Sequence, residues 1–154
     1  MKALLQRVTE ASVSVEGELV GQIGPGLLVL LGLDKGDDQA LAVRMLDKLL
    51  AYRVFSDDEG RMNQSVTDIQ GGVLLVSQFT LSADTRKGLR PGFSAALPPV
   101  EARELYDWTL DSLRGRHAGD VAAGVFGADM QVALVNDGPV TFMLELRGVC
   151  CNVY

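Results

Sequence analysis

Ser77, Gln78 and Thr80 close an apolar run and alternate with Phe79 and Leu81. Hydroxyl and amide groups mounted at the end of a buried strand can be held to the small tolerances that chemistry needs. Thr80 carries a hydroxyl, but a hydroxyl becomes a nucleophile only beside a base, and none is visible near it in the chain. Gln78 and the N–H groups of Phe79 and Thr80 suit a different role, as donors to a developing oxyanion. One such donor lowers a barrier by roughly 3 kcal/mol. The same groups would also serve simply to satisfy local backbone at a strand end.

A second unusual stretch is Asn136-Asp137-Gly138-Pro139. Proline has no N–H for a ladder, so it marks an edge or a bend. Gly138-Pro139 is either an ordinary turn or a cis peptide, a minority state that is deliberate where it occurs. Arg86, Lys87 and Arg90 lie on a loop with Gly88, Pro91 and Gly92. Such a loop is either a solvated surface or a grip for a phosphate-bearing substrate.

The remaining catalysts are sparse. His117 is the one histidine, in a glycine-flanked loop where the expectation is exposure. No nucleophile elbow, zinc-ligand spacing or phosphate-cradling glycine loop is present. The acidic turn Ser56-Asp57-Asp58-Glu59-Gly60 lacks the calcium-loop pattern. If the chain is an enzyme, the expectation is therefore one without metal or cofactor and without an obvious protein base.

These candidates need a frame. A chain of 154 residues with 47% hydrophobic and 22% charged residues is the size of one globular domain, 1–154. Its net charge of −6 weighs against gripping nucleic acid through bulk electrostatics, though not against a local basic patch. Leu27–Leu31, the longest apolar run, is too short to span a bilayer, so no membrane partner is expected. Lys2 and Arg7 interrupt the first apolar residues, which reads as a cytoplasmic chain without a signal peptide. Cys150 and Cys151 are adjacent and read as reduced thiols without an assigned role.

Residues 3–15 and 19–23 read as a hairpin around Glu16-Gly17-Glu18. Leu27–Leu31 and Val73–Val76 are unbroken apolar runs, which fit strands buried on both faces. In Gln39–Ala51, Ala42, Met45, Leu46, Leu49 and Leu50 recur with helical period, and Asp37 or Asp38 can cap the helix. Short strands fit 53–55 and part of 62–70. Pro98-Pro99 opens a helix to about Arg114, with Ala102, Leu105, Tyr106, Thr109 and Leu113 inward. Segments 130–135 and 140–146 alternate as strands. The fold class is α/β, a compact single domain of mostly antiparallel, barrel-like layered sheet with two main helices.

Ser77-Gln78-Phe79-Thr80-Leu81 and Asn136-Asp137-Gly138-Pro139-Val140-Thr141 together closely resemble the paired signatures of the D-aminoacyl-tRNA deacylases. Gln6-Arg7-Val8, Lys87-Gly88-Leu89-Arg90-Pro91-Gly92-Phe93 and Gly124-Val125-Phe126-Gly127-Ala128-Asp129-Met130 also look like that family. The likeness covers essentially the whole chain. Gly92 departs from it, since many members have serine there.

The resemblance implies a homodimeric hydrolase acting on the ester between a D-amino acid and the 3′-terminal adenosine of tRNA. It implies that a cis Gly138-Pro139 from one subunit enters the other's pocket and rejects L-amino acids, leaving glycyl-tRNA, including glycine mischarged on tRNA(Ala), open to cleavage. Ser77, Gln78, Phe79 and Thr80 would line the catalytic strand. Arg7, Asn136, Thr141, Phe126 and Met130 would join Gly138 and Pro139 around the substrate. Backbone groups and the ribose 2′-OH would carry much of the chemistry, which suits a chain with no visible base. Two rivals stand beside this reading: a β-rich dimer that binds nucleotide or RNA ends without turnover, and a general esterase using Thr80.

Overall fold

A computed structural model describes residues 1–148; Cys150 and Cys151 lie outside them. The strands are β1 (Lys2–Val15), β2 (Glu18–Ile23), β3 (Gly26–Gly32), β4 (Phe55–Ser56), β5 (Met62–Gln64), β6 (Gly72–Ser77), β7 (Val121–Ala123) and β8 (Gln131–Glu145). Two helices, α1 (Gln39–Ala51) and α2 (Pro99–Arg116), follow β3 and precede β7. The main sheet runs β2-β1-β3-β6-β7, and β8 lies along the other edge of β1. β4 and β5 form a separate ribbon.

The long β1 is the spine. Its first half pairs with β3 and its second with β2, while β8 pairs with both halves. At the far end β2 meets β7 so closely that a Cβ at Gly21 would lie 2.5 Å from the Ala123 carbonyl oxygen. The sheet thus curls into a nearly closed barrel, as the alternation of short strands predicts. β6 departs from the antiparallel majority, because it runs parallel to both β3 and β7.

Both apolar runs are buried on both faces. Leu27, Val29, Leu31, Val73 and Leu75 point to a core shared with Met45, Leu46 and Leu49 of α1 and Leu105, Tyr106 and Leu113 of α2. Leu28, Leu74 and Val76 point the other way, to an inner cluster with Val8, Ala11, Val13 and Ile23. Asp38 caps α1 by accepting from the Leu41 N–H at 2.9 Å. Asp37 instead meets the Met1 ammonium at 2.9 Å.

Two sequence expectations are corrected, and one strand is added. The strand carrying Ser77 does not continue through Thr80; Phe79–Ser82 is a 3₁₀ turn, and Gln78 is its entry. Residues 131–145 are not two strands joined by a turn. They form one strand whose halves both run antiparallel to β1, with Gln6 opposite Thr141 and Val8 opposite Asn136. Asp137 to Val140 therefore bulge out across from Arg7, which excludes an ordinary hairpin turn. β7 is an additional strand, too short to carry a readable period.

Candidate active site

Because β3 and β6 are parallel neighbours, with Leu31 opposite Ser77, their carboxyl ends open side by side. Ligands in α/β sheets favour that end of parallel strands. A cavity of about 700 Å³ lies there. Of the predicted residues, Ser77, Gln78, Phe79, Phe126 and Met130 line it, and Thr80 does not. The sequence reading missed Leu33, Lys35, Pro98 and Val132 on the same wall. Phe93, quoted only as part of a loop, also faces it. Recognising β3 and β6 as parallel would have found the 33–35 segment.

The end of β6 is anchored by the Gln78 N–H, which donates to Leu31 O at 2.8 Å. The 3₁₀ turn follows. Its leading N–H groups, those of Phe79 and Thr80, find no backbone acceptor among the described residues, as expected at the start of a helical turn. The Gln78 amide donates to the Thr80 hydroxyl. That hydroxyl is exposed and has no base beside it among its hydrogen-bond partners. Phe79 is 61% exposed and lies against Phe93, ring centroids 5.0 Å apart. Phe126 is set by Tyr106 at 5.7 Å and by the Arg103 guanidinium over its ring. Burial pushes the Tyr106 hydroxyl up to about 12, with Asp107 adding to the effect. It donates to Leu75 O at 2.8 Å.

The other predicted residues gather at the bulge in β8. The Gly138-Pro139 bond is cis. Gly138 has φ +143°, and a Cβ there would lie 2.7 Å from Val140 Cγ2 and 3.2 Å from an Arg7 guanidinium nitrogen. Only glycine fits. Arg7 braces the bulge, its Nε donating to Asp137 O at 2.9 Å and its terminal nitrogen to Val54 O at 2.7 Å. Asn136 closes the neck, accepting from the Val140 N–H at 2.7 Å and donating to the Thr141 hydroxyl at 2.9 Å. None of Arg7, Asn136, Gly138, Pro139 and Thr141 lines the cavity. Within one chain the predicted site is therefore divided in two.

Two expectations about charge change. His117 is buried, not exposed, and its Nε2 meets Gly71 O at 2.6 Å. Gly71 precedes β6 and Ser77 ends it, about 20 Å apart at a strand's rise per residue. The imidazole ties α2 to the start of that strand and is out of reach of the cavity. Arg86 is clamped by Asp84, Nε and a terminal nitrogen donating at 2.9 and 2.8 Å. That pairing holds the Asp84 carboxyl well below the usual carboxylate range. Neither Arg86, Lys87 nor Arg90 lines the cavity.

The cavity is thus an apolar chamber with Ser77, Gln78 and Phe79 at one end and the Thr80 N–H next in the chain, outside its lining. Its lining holds no carboxylate or imidazole among the described residues. It can polarise a carbonyl and stabilise an oxyanion; it cannot supply a carboxylate or histidine base.

The family model for D-Tyr-tRNA(Tyr) deacylase matches residues 4–145. A D-aminoacyl-tRNA deacylase of Stutzerimonas stutzeri (strain A1501) is 61% identical over 145 residues, covering 94% of this chain and 99% of the relative. One from Cellvibrio japonicus (strain Ueda107) is 58% identical over 146 residues, covering 95% and 99%. Among solved structures, a c-Myc DNA unwinding element binding protein superposes with TM-score 0.92 at 45% identity, covering 96% of this chain and 100% of that one. A probable eukaryotic D-amino acid tRNA deacylase shares the fold, with TM-score 0.77 at 19% identity, covering 94% and 98%. The chain belongs to the D-Tyr-tRNA(Tyr) deacylase family.

Proposed function

We propose that this chain hydrolyses the ester of D-aminoacyl-tRNA, in a site that a second copy of the chain completes with its Gly138-Pro139 bulge. The observation that carries the reading is the division of the candidate residues. The cavity is lined by Ser77, Gln78 and Phe79, with Thr80 next in the chain, and by none of Arg7, Asn136, Gly138, Pro139 and Thr141. The bulge is a braced, side-chain-poor wall whose residues stand off the lining of that cavity. The relatives' activity supports the substrate class.

In this mechanism the ester carbonyl sits over the Phe79 and Thr80 N–H groups. Water adds to the carbonyl carbon, and the oxyanion takes those two hydrogen bonds, about 3 kcal/mol each. The bond from carbon to the ribose 3′-oxygen then breaks. The substrate's own 2′-hydroxyl relays the proton from water to that leaving oxygen, in place of a protein base. Gln78 holds the Thr80 hydroxyl and so fixes the turn.

Selection works by exclusion. Attraction for one extra carbon in an apolar pocket discriminates by only about 1–3 kcal/mol. A rigid wall that collides with the L side chain discriminates further. Glycine has no side chain to collide, so glycyl-tRNA, including glycine on tRNA(Ala), is a substrate. The DNA element named for the 45%-identical structure is not carried over, because a net charge of −6 opposes bulk phosphate binding.

The test follows release from D-tyrosyl-, L-tyrosyl- and glycyl-tRNA, with the mass of the particle measured in parallel. The expected result is cleavage of the D and glycyl esters alone, by a dimer. Equal cleavage of both hands selects the esterase using Thr80, and binding without turnover selects the RNA-end binder. D-ester cleavage with glycyl-tRNA untouched removes the wall.

A further inference from the structure

Among the described residues lining the cavity, Lys35 is the one charged side chain; the rest are apolar apart from Ser77 and Gln78. Its backbone is fixed on the wall. The Lys35 N–H donates to Ala95 O at 2.9 Å, Asp34 pairs with Ala96, and the Leu97 N–H donates to Leu33 O at 2.9 Å. The nearby carboxylates are engaged elsewhere. Asp34 faces the Met1 ammonium at 3.3 Å and Lys2 Nζ at 3.4 Å, and Asp37 faces Met1. The Lys35 ammonium joins no ion pair among the described residues and is exposed at the rim. The cations that the sequence offered for phosphate, by contrast, stand off the lining, and Arg86 is spent on Asp84.

An unneutralised ammonium at the edge of an otherwise apolar chamber attracts one anion and repels cations. We propose that Lys35 binds the phosphate on the 5′ side of the 3′-terminal nucleotide. This rests on the deacylase reading and adds to it the group that orients the substrate. An aminoacyl-nucleotide has an anion at one end, its phosphate, and a cation at the other, its α-ammonium. Lys35 draws the first toward the 33–35 segment and turns the second away, toward the bulge donated by the partner. The ester carbonyl then falls between them, at Phe79 and Thr80.

The experiment compares the parent dimer with Lys35→Met, which keeps the stem and loses the charge, and Lys35→Arg, which keeps the charge. Substrates are D-tyrosyl-tRNA, D-tyrosyl-AMP esterified at the ribose 3′-oxygen, and the phosphate-free D-tyrosyl-adenosine. Lys35→Met is expected to raise KM three- to tenfold for the first two, to leave kcat within twofold, and to spare D-tyrosyl-adenosine. The slope of log(kcat/KM) against log[salt] for the tRNA should fall by about 0.7, the value for one phosphate on a single strand. Lys35→Arg should restore both. An equal loss on adenosine and AMP esters, or an unchanged salt slope, overturns the assignment. Binding of AMP and adenosine, without turnover, separates the two readings. If the parent prefers AMP and Lys35→Met abolishes the preference, the phosphate site stands even where D-tyrosyl-tRNA is not cleaved. If the parent binds both alike, the phosphate site falls whatever the turnover.

Discussion

Removing the Arg7 side chain tests whether the bulge is held from beneath. In the parent, Arg7 spans Asp137 O at 2.9 Å and Val54 O at 2.7 Å. Asp137 has a side chain 55% exposed, so water replaces the lost donor there at small cost. Val54 is 1% exposed, and Arg7→Ala leaves its carbonyl with no charged donor. A hydrogen bond to a charged group contributes about 1.5–3 kcal/mol, and a stranded buried acceptor costs about 1–3. Together these predict a loss of roughly 2.5–6 kcal/mol. For a domain of this size that lowers Tm by about 5–24 °C. Arg7→Lys, with one ammonium for two acceptors, should recover part of the loss. Scanning calorimetry of the three proteins measures it directly. A Tm for Arg7→Ala within about 1 °C of the parent, or full recovery by lysine, refutes the two-point brace. The ratio of D- to L-tyrosyl-tRNA cleavage adds a second readout, in which each 1.36 kcal/mol of lost discrimination is tenfold. A lower Tm with an intact ratio would mean that Arg7 steadies the fold without holding the wall.

Tyr106→Phe should lower Tm by about 2–6 °C, because Leu75 O loses a buried donor on the strand that ends at Ser77. Burial raises the folded value of this phenol from 10.0 to about 12, so the stability linked to it is complete below pH 10 and is lost as pH rises toward 12. Alkaline denaturation of the parent should show that decline, and Tyr106→Phe should remove it; identical alkaline limbs refute the assignment. Gly26→Ala should yield no soluble folded protein, since its Cβ would overlap the Gly72 carbonyl across the parallel β3–β6 pair. Recovery of a cooperative melt would contradict that packing.

Much of this architecture is legible in the chain. α1 was readable because five apolar positions and a capping aspartate agree on one helix. The two apolar runs were readable as strands covered on both faces, yet period alone does not name a strand's neighbours. That is why the parallel β3–β6 pairing, and with it Lys35, went unseen. The 3₁₀ turn at Phe79–Ser82 and the three-residue β7 are shorter than any period. His117 looked exposed because its neighbours in sequence are glycines and polar residues, whereas its burial comes from Gly71, 46 residues away. The bulge was legible as an anomaly, and its brace was not, since Arg7 reaches it across the sheet from 130 residues earlier.

Val76, Met130 and Val132 border the ligand chamber on one side and rest on the inner cluster of Val8, Leu28 and Leu74 on the other. That inner cluster is ringed by strands whose last gap is shut where Gly21 lets two backbones touch. A hoop of this kind resists being spread. A bulky group pressed against those three side chains meets hydrogen-bonded strands on every side except the β2–β7 contact, with close-packed, barely compressible filling behind it. The chamber therefore keeps its dimensions whether empty or filled, and its size limit is set when the chain folds.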